Sequence, residues 1–284
     1  MKTLVQAVRH FLLAIQFFTR LPVTGRLAEW VGYSPARLRA SAGHFPGVGL
    51  LVGMVAAAVF SLVSAALPAS LFSPLIAAAL STVATVLMTG GFHEDGLADV
   101  ADGLGGSLDR ARALEIMKDS RVGAFGAMAL VLALLTKVGL LAMLGSVEGL
   151  PEGWFDWTEA PFASWYVAGG LIAAHSVSRA LSLVLIAALP HVGDTAASRS
   201  KPLADQISPA SLLAAFLWCF MALALAATAL DASYLIAASS FSFIAMLWMG
   251  SWFKRRLQGF TGDCLGATQQ VCEIAFYLGL AVCL

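Results

Sequence analysis

Seven apolar stretches recur along the chain, near 46–67, 71–92, 123–145, 162–190, 210–230, 232–253 and 264–284. Each is about 20 residues long, the length a helix needs to cross bilayer hydrocarbon. Backbone polar groups in lipid must be satisfied within the spanning segment, so such stretches confine the chain to a bundle of helices. The last stretch is interrupted by Gln269, Gln270 and Glu273, and 162–190 is longer than a perpendicular span requires. The expectation is therefore an all-α, polytopic transmembrane helical bundle with six to eight spans, forming a single integral membrane domain over 1–284. Composition agrees, because only 12% of residues are charged and 59% are hydrophobic. A water-facing surface calls for roughly 25% charged residues.

The placement of charge predicts orientation, since Lys and Arg are retained on the cytoplasmic side. Arg26, Arg37 and Arg39 precede the first stretch. Arg110, Arg112, Lys118 and Arg121 follow the second, Arg199 and Lys201 the fourth, and Lys254, Arg255 and Arg256 the sixth. The alternate connections carry Glu148, Glu152, Asp156, Glu159 and Asp231 and no Lys or Arg. Trp154, Trp157, Trp165 and Tyr166 supply an interfacial aromatic belt there. The segment Leu4 to Pro22 is apolar only from Phe11 to Phe18 and carries Arg9, His10 and Arg20, so it is predicted to lie in the interface as an amphipathic helix. The formal net charge of zero points to no nucleic-acid partner. Cys219, Cys264, Cys272 and Cys283 show no CxxC pairing and read as packing residues.

The informative polar residues gather at the basic side. From Gly90 the chain reads GGFHEDGLADVADGLGG, which sets Glu94, Asp95, Asp99 and Asp102 at the cytoplasmic end of the second span. Asp95, Asp99 and Asp102 are i, i+4 and i+7, within about 60° on one helical face. Three stacked carboxylates repel unless some are protonated or a cation neutralises them. Oxygen ligands without His or Cys at metal-ligand spacing suit Mg²⁺, whose shell substrate phosphates usually complete. Glu94, Asp95, Asp99 and Asp102 are thus the expected metal ligands. A solvated acidic helix end is the bland alternative, but ionisable groups at a membrane boundary are by default functional.

Downstream, MKDSRVGAFG places Lys118 and Arg121 where they can hold phosphate oxygens or simply serve topology. His175 and Arg179 are i, i+4 inside the fourth stretch, as an internal pair or a substrate contact. Lys137 either snorkels or pairs with Glu273. A second glycine-flanked acid, Asp263, stands in GFTGDCLGA at another basic-side helix end. Such a turn can aim backbone N–H groups and one carboxylate at a phosphate or its metal.

With FFTRLPV near Phe17, FPGVGLLVG near Phe45, HEDGLADVADG from His93, LEIMKDSRVGAFG from Leu114 and GFTGDCLGA from Gly259, the chain resembles the cobalamin synthases, the adenosylcobinamide-GDP ribazoletransferase family, almost end to end. The resemblance implies that adenosylcobinamide-GDP and α-ribazole, or its 5′-phosphate, are joined with release of GMP, that Mg²⁺ is required, and that the enzyme sits in the bacterial inner membrane. In that setting Asp263 and Asp102 are expected catalytic residues, with the proton acceptor open between Asp263 and a cluster Asp. Lys118, Arg121, Arg179 and His93 are expected substrate contacts. The DxxDGxxAR pattern of the CDP-alcohol phosphotransferases is met by Asp99, Asp102 and Gly103, but Gly106 and Ser107 break its second half. An ion-coupled transporter would show matching broken helices in two halves, which are absent from the sequence. A structural protein would have no reason to gather acids and glycines on one face.

Overall fold

The computed structural model describes residues 2–147, 165–193 and 207–284. Among them the chain is helical throughout, apart from one isolated parallel bridge between His191 and Phe260. The connection holding Glu148, Glu152, Asp156 and Glu159, and the pair Arg199 and Lys201, lie outside the described residues.

An amphipathic helix α1 (Lys2–Phe18) opens the fold, burying Leu13, Ala14, Ile15 and Phe18 while Leu4, Val5 and Val8 stay exposed. Two short helices follow, α2 (Gly25–Val31) and α3 (Pro35–Ser41). The long helices are α4 (Phe45–Ala66), α5 (Ser73–Thr89), α8 (Ala124–Val147), α9 (Trp165–Ala188), α10 (Pro209–Ala226), α11 (Ala232–Arg256) and α12 (Gly262–Val282). Between α5 and α8 stand α6 (Phe92–Gly106) and α7 (Arg110–Ile116). Among the described residues six helices are long and apolar enough to cross a membrane alone, or seven spans if α5 and α6 count as one bent unit.

Packing rather than the hydrophobic effect holds helices together in lipid, so close approach matters. The α4 glycines meet α9 directly: a Cβ on Gly53 would lie 2.8 Å from the Ile172 Cα. At the centre, α9 and α12 are the most enclosed spans, whereas α8 and α10 expose most of their surface. Exposed Leu132, Leu135, Phe220 and Ile244 are what a lipid-facing perimeter requires.

The sequence reading placed the acidic motif at the end of the second span. Instead, α5 stops at Thr89 and the chain turns by 90° before α6 begins. Gly90 and Gly91 supply the turn with φ of 72° and 71°, a left-handed conformation that side-chain-bearing residues rarely adopt. We read α5 as crossing the membrane and α6 as lying across the end of the bundle, against α12 and the start of α8.

Candidate active site on the transverse helix

Helix α6 carries Asp95, Asp99 and Asp102 along one face, and their exposure falls from exposed through half-buried to buried. This gradient follows from what α6 packs against. Near its start, Gly96 touches α12 so closely that a Cβ would sit 2.7 Å from the Asp263 carbonyl oxygen. Near its end, the Asp102 carboxylate accepts the N–H groups of Gly123 at 2.6 Å and Gly126 at 2.8 Å. Those are orphan donors of the first turn of α8, so Asp102 caps that helix from a different one.

Asp263 stands in the first turn of α12. Thr261 caps this helix by accepting the Cys264 N–H at 3.4 Å, and its hydroxyl donates to Asp263 Oδ2 at 3.3 Å. The preceding loop is tied down by the bridge to the end of α9, where Val192 N–H donates to the Phe260 carbonyl at 2.9 Å and Phe260 N–H to the Pro190 carbonyl at 3.0 Å. Asp263 is thereby brought beside Asp95 and Asp99, as GFTGDCLGA suggested. Burial together with the charges of Asp263, Asp95 and Asp102 pushes the Asp99 carboxyl up to about 7. Among the described residues no Lys or Arg forms an ion pair with Asp95, Asp99 or Asp263.

No three His, Cys, Asp or Glu side chains among the described residues converge into a ready metal cage. Two of the four expected ligands have other partners: Asp102 caps α8, and Glu94 accepts the Gln270 amide on Oε1 at 3.0 Å. Asp95, Asp99 and Asp263 remain as a cluster with excess negative charge. One or two of them, with phosphates and waters completing the shell, would match the way Mg²⁺ is usually held.

Cavities flank α6 at both ends. One of about 630 Å³ is lined by Asp102, Arg112, Lys118, Arg121 and Gly123 among others. Its Arg121 forms a two-pronged pair with exposed Asp119, at 2.9 Å from Nε to Oδ1 and 2.5 Å from the terminal nitrogen to Oδ2, which holds the Asp119 carboxyl down to about 2. The other, of about 560 Å³, is lined by Arg20, Gly90, Gly91 and Asp95. Arg20 drew no attention in the sequence, where it read as part of the interfacial helix. In the structure its backbone N–H donates to the Met88 carbonyl at 2.7 Å and its guanidinium covers Gly90.

The basic side of the bundle also has structural duties. Arg256 donates to the carbonyls of Leu104 at 3.1 Å and Ser107 at 2.5 Å, closing the C-terminal end of α6. Arg110 donates in return to the Leu257 carbonyl at 2.7 Å. The remaining expected contacts sit deeper. His93 is buried against Phe45, with ring centroids 5.7 Å apart, and lines a small apolar pocket with Phe17, Phe18 and Phe92. Arg179 lies inside the bundle, donating to His175 rather than facing the exposed acids. Lys137 pairs with Glu273 at 2.6 Å, one of the two arrangements weighed from sequence.

These features define a multi-pass membrane protein whose exposed and half-buried acids Asp95, Asp99 and Asp263 gather where α6 lies against the first turn of α12. Residues 10–281 match the family described as cobalamin-5-phosphate synthase, and the chain belongs to that family. It is 71% identical to an adenosylcobinamide-GDP ribazoletransferase of Polaromonas sp. over the whole of both chains. Proteins of the same name from Leptothrix cholodnii and Vibrio cholerae are 46% and 40% identical, with 98% and 94% of this chain and 97% and 91% of theirs covered. No solved structure matches significantly.

Proposed function

We propose that the chain is an adenosylcobinamide-GDP ribazoletransferase that works at the cytoplasmic face of a bacterial inner membrane. It joins adenosylcobinamide-GDP to α-ribazole, or to its 5′-phosphate, giving adenosylcobalamin or its 5′-phosphate and GMP. The observation that carries this reading is the meeting of Asp263 with Asp95 and Asp99, with an Arg20-lined cavity at Asp95 and a second cation-lined cavity at the Asp102 end of α6, in a chain of this family.

One or two of the carboxylates Asp95, Asp99 and Asp263, together with substrate phosphates, would hold Mg²⁺. When bound, the ion neutralises diphosphate charge and makes phosphorus more electrophilic. Lys118 and Arg121 bind phosphoryl oxygens from the large cavity, and Arg20 is placed to do so from the other side. A ribose hydroxyl of the ribazole other than the 5′ one, which carries the phosphate in the 5′-phosphate acceptor, attacks the corrinoid-side phosphorus, forming a new P–O bond. The P–O bond to the leaving phosphate breaks, and GMP departs with the electron pair. The hydroxyl proton passes to a carboxylate, either Asp263 or an acid of α6. Asp102 acts in this scheme by fixing α8, and with it the loop bearing Lys118 and Arg121, relative to the acids.

The reading is tested with purified protein in detergent, adenosylcobinamide-GDP, α-ribazole and Mg²⁺. Stoichiometric GMP and corrinoid product are expected, and absence of both would sink it. Orientation is checked separately with Leu108→Cys, whose site is 90% exposed beyond the end of α6. Labelling from the cytoplasm supports the assignment; labelling only from the other side overturns it.

A further inference from the structure

The acidic motif opens with Glu94, and its surroundings differ from those of the aspartates that follow. Glu94 Oε1 accepts Gln270 Nε2, which also reaches Gln269 Oε1 at 3.0 Å. Gln269 Nε2 continues to Glu273 Oε2 at 2.6 Å and to Ser178 Oγ at 3.1 Å. Glu273 is fully engaged, taking Lys137 and the Tyr277 hydroxyl, at 3.1 Å, on Oε1 and lying 3.2 Å from His175 Nδ1 on Oε2. An unbroken polar chain therefore runs from the first turn of α6 through α12 into α8 and α9. Lys137, Arg179, His175, Gln269 and Glu273 are each at most 1% exposed.

The charges in this core do not balance by themselves. Lys137 and Arg179 are two cations, and Glu273 is one carboxylate already saturated by other partners. Arg179 forms no ion pair among the described residues, and its Nε is buried without an acceptor. Glu94 Oε2 is likewise buried without a donor. Arg179 Cζ lies 5.4 Å from the Phe45 ring centroid and His93, the neighbour of Glu94, stacks on that same ring; the carboxylates whose charge reaches Arg179 are Glu273 first and Glu94 second, and of these Glu273 is already shared among Lys137, Tyr277, Gln269 and His175. A buried guanidinium with no counter-charge is costly, whereas one opposite a carboxylate is tolerated.

We infer that Glu94 is the counter-ion of Arg179 and the positioning residue that ties the start of α6 to the intramembrane polar core, not a ligand of the metal. The inference rests on the reading that α6 bears the metal–phosphate site, because its consequence is that the core sets where Asp95 and Asp99 stand. Glu94 then belongs to the membrane interior electrically although it sits in a motif of apparent ligands.

Charge-reciprocal variants test this on the full chain in detergent. Thermal unfolding and Mn²⁺ binding, followed by electron paramagnetic resonance without substrate, are measured for wild type, Glu94→Gln, Arg179→Gln, the double variant and Asp99→Asn. Glu94→Gln should lower the unfolding midpoint by several degrees, and adding Arg179→Gln should restore most of it. If Glu94→Gln alone does not fold, recovery of folded protein in the double variant is the same rescue. The double variant should keep Mn²⁺ affinity close to wild type, whereas Asp99→Asn should lose roughly tenfold or more. A double variant no more stable than Glu94→Gln, or unfolded while Arg179→Gln alone folds, overturns the counter-ion role. A double variant as deficient in Mn²⁺ as Asp99→Asn makes Glu94 a ligand and overturns the assignment. Wild type that binds no Mn²⁺ counts against the metal reading of α6, and the rescue of stability still decides the counter-ion pair.

Discussion

Asp102 on α6 accepts the backbone N–H of Gly126 on α8 at 2.8 Å, across 24 residues of sequence. A carboxylate expected from sequence to be a metal ligand is thus the cap of a spanning helix. A Cβ at Gly126 would collide with that carboxylate. Gly126→Ala should therefore cost about 1–3 kcal/mol through overpacking. Gly139→Ala in the same helix meets nothing within 4 Å and should be neutral or stabilising by about 0.5 kcal/mol. Thermal unfolding in one detergent compares the two, and equal effects would refute the cap.

Asp102 and Asp99 should separate stability from activity. Asp102→Asn removes charge from two N–H donors and can cost about 1.5–3 kcal/mol. Asp99→Asn relieves repulsion among Asp95, Asp263 and Asp102, so its unfolding midpoint should stay or rise while GMP release falls steeply. Loss of stability in Asp99→Asn equal to that in Asp102→Asn would contradict the division.

Asp99 and Asp263 should act as one unit. Asp99→Asn/Asp263→Asn is expected to be about as inactive as the worse single variant, since either change disables the same cluster. Mg²⁺ should raise the unfolding midpoint of wild type by mass action and leave the double variant unmoved. Losses that multiply, or an equal Mg²⁺ response, would place the two acids in separate sites.

Arg256→Lys should slow turnover although it keeps the charge that topology demands. Both bonds to the Leu104 and Ser107 carbonyls leave one terminal nitrogen of the rigid guanidinium, and the shorter, flexible lysine holds an ammonium there less firmly, so the end of α6 loosens. Retained cytoplasmic labelling of Leu108→Cys with reduced GMP release is the expected pair of results; unchanged release would make Arg256 a topology signal alone.

Much of the architecture was readable from residue order because lipid imposes a length rule on helices. The apolar stretches coincide with α4, α5 and α8 to α12 within a few residues. The meeting of Asp95, Asp99 and Asp263 was also accessible, since all three acids end apolar segments on the basic side. The right-angle turn at Gly90–Gly91 was not read, because two glycines in an apolar run look like an ordinary helix end until their positive φ is seen. Asp102 and Glu94 were grouped with their neighbours by helical spacing. Their partners, Gly123 just before α8, Gly126 in its first turn and Gln270 on α12, are set by tertiary packing, which periodicity does not encode.

The Glu94–Gln270 bond joins residues 176 apart, and α12 is the last described helix to leave the ribosome. Every earlier helix can enter the bilayer while α6 still lacks both Gln270 and Asp263. During biogenesis the acidic motif therefore waits without its α12 partners, and the cluster of Asp95, Asp99 and Asp263 is complete only when the final span docks. A chain short of α12 would lack Asp263 and Gln270, and with them both contacts by which α12 meets the acidic motif.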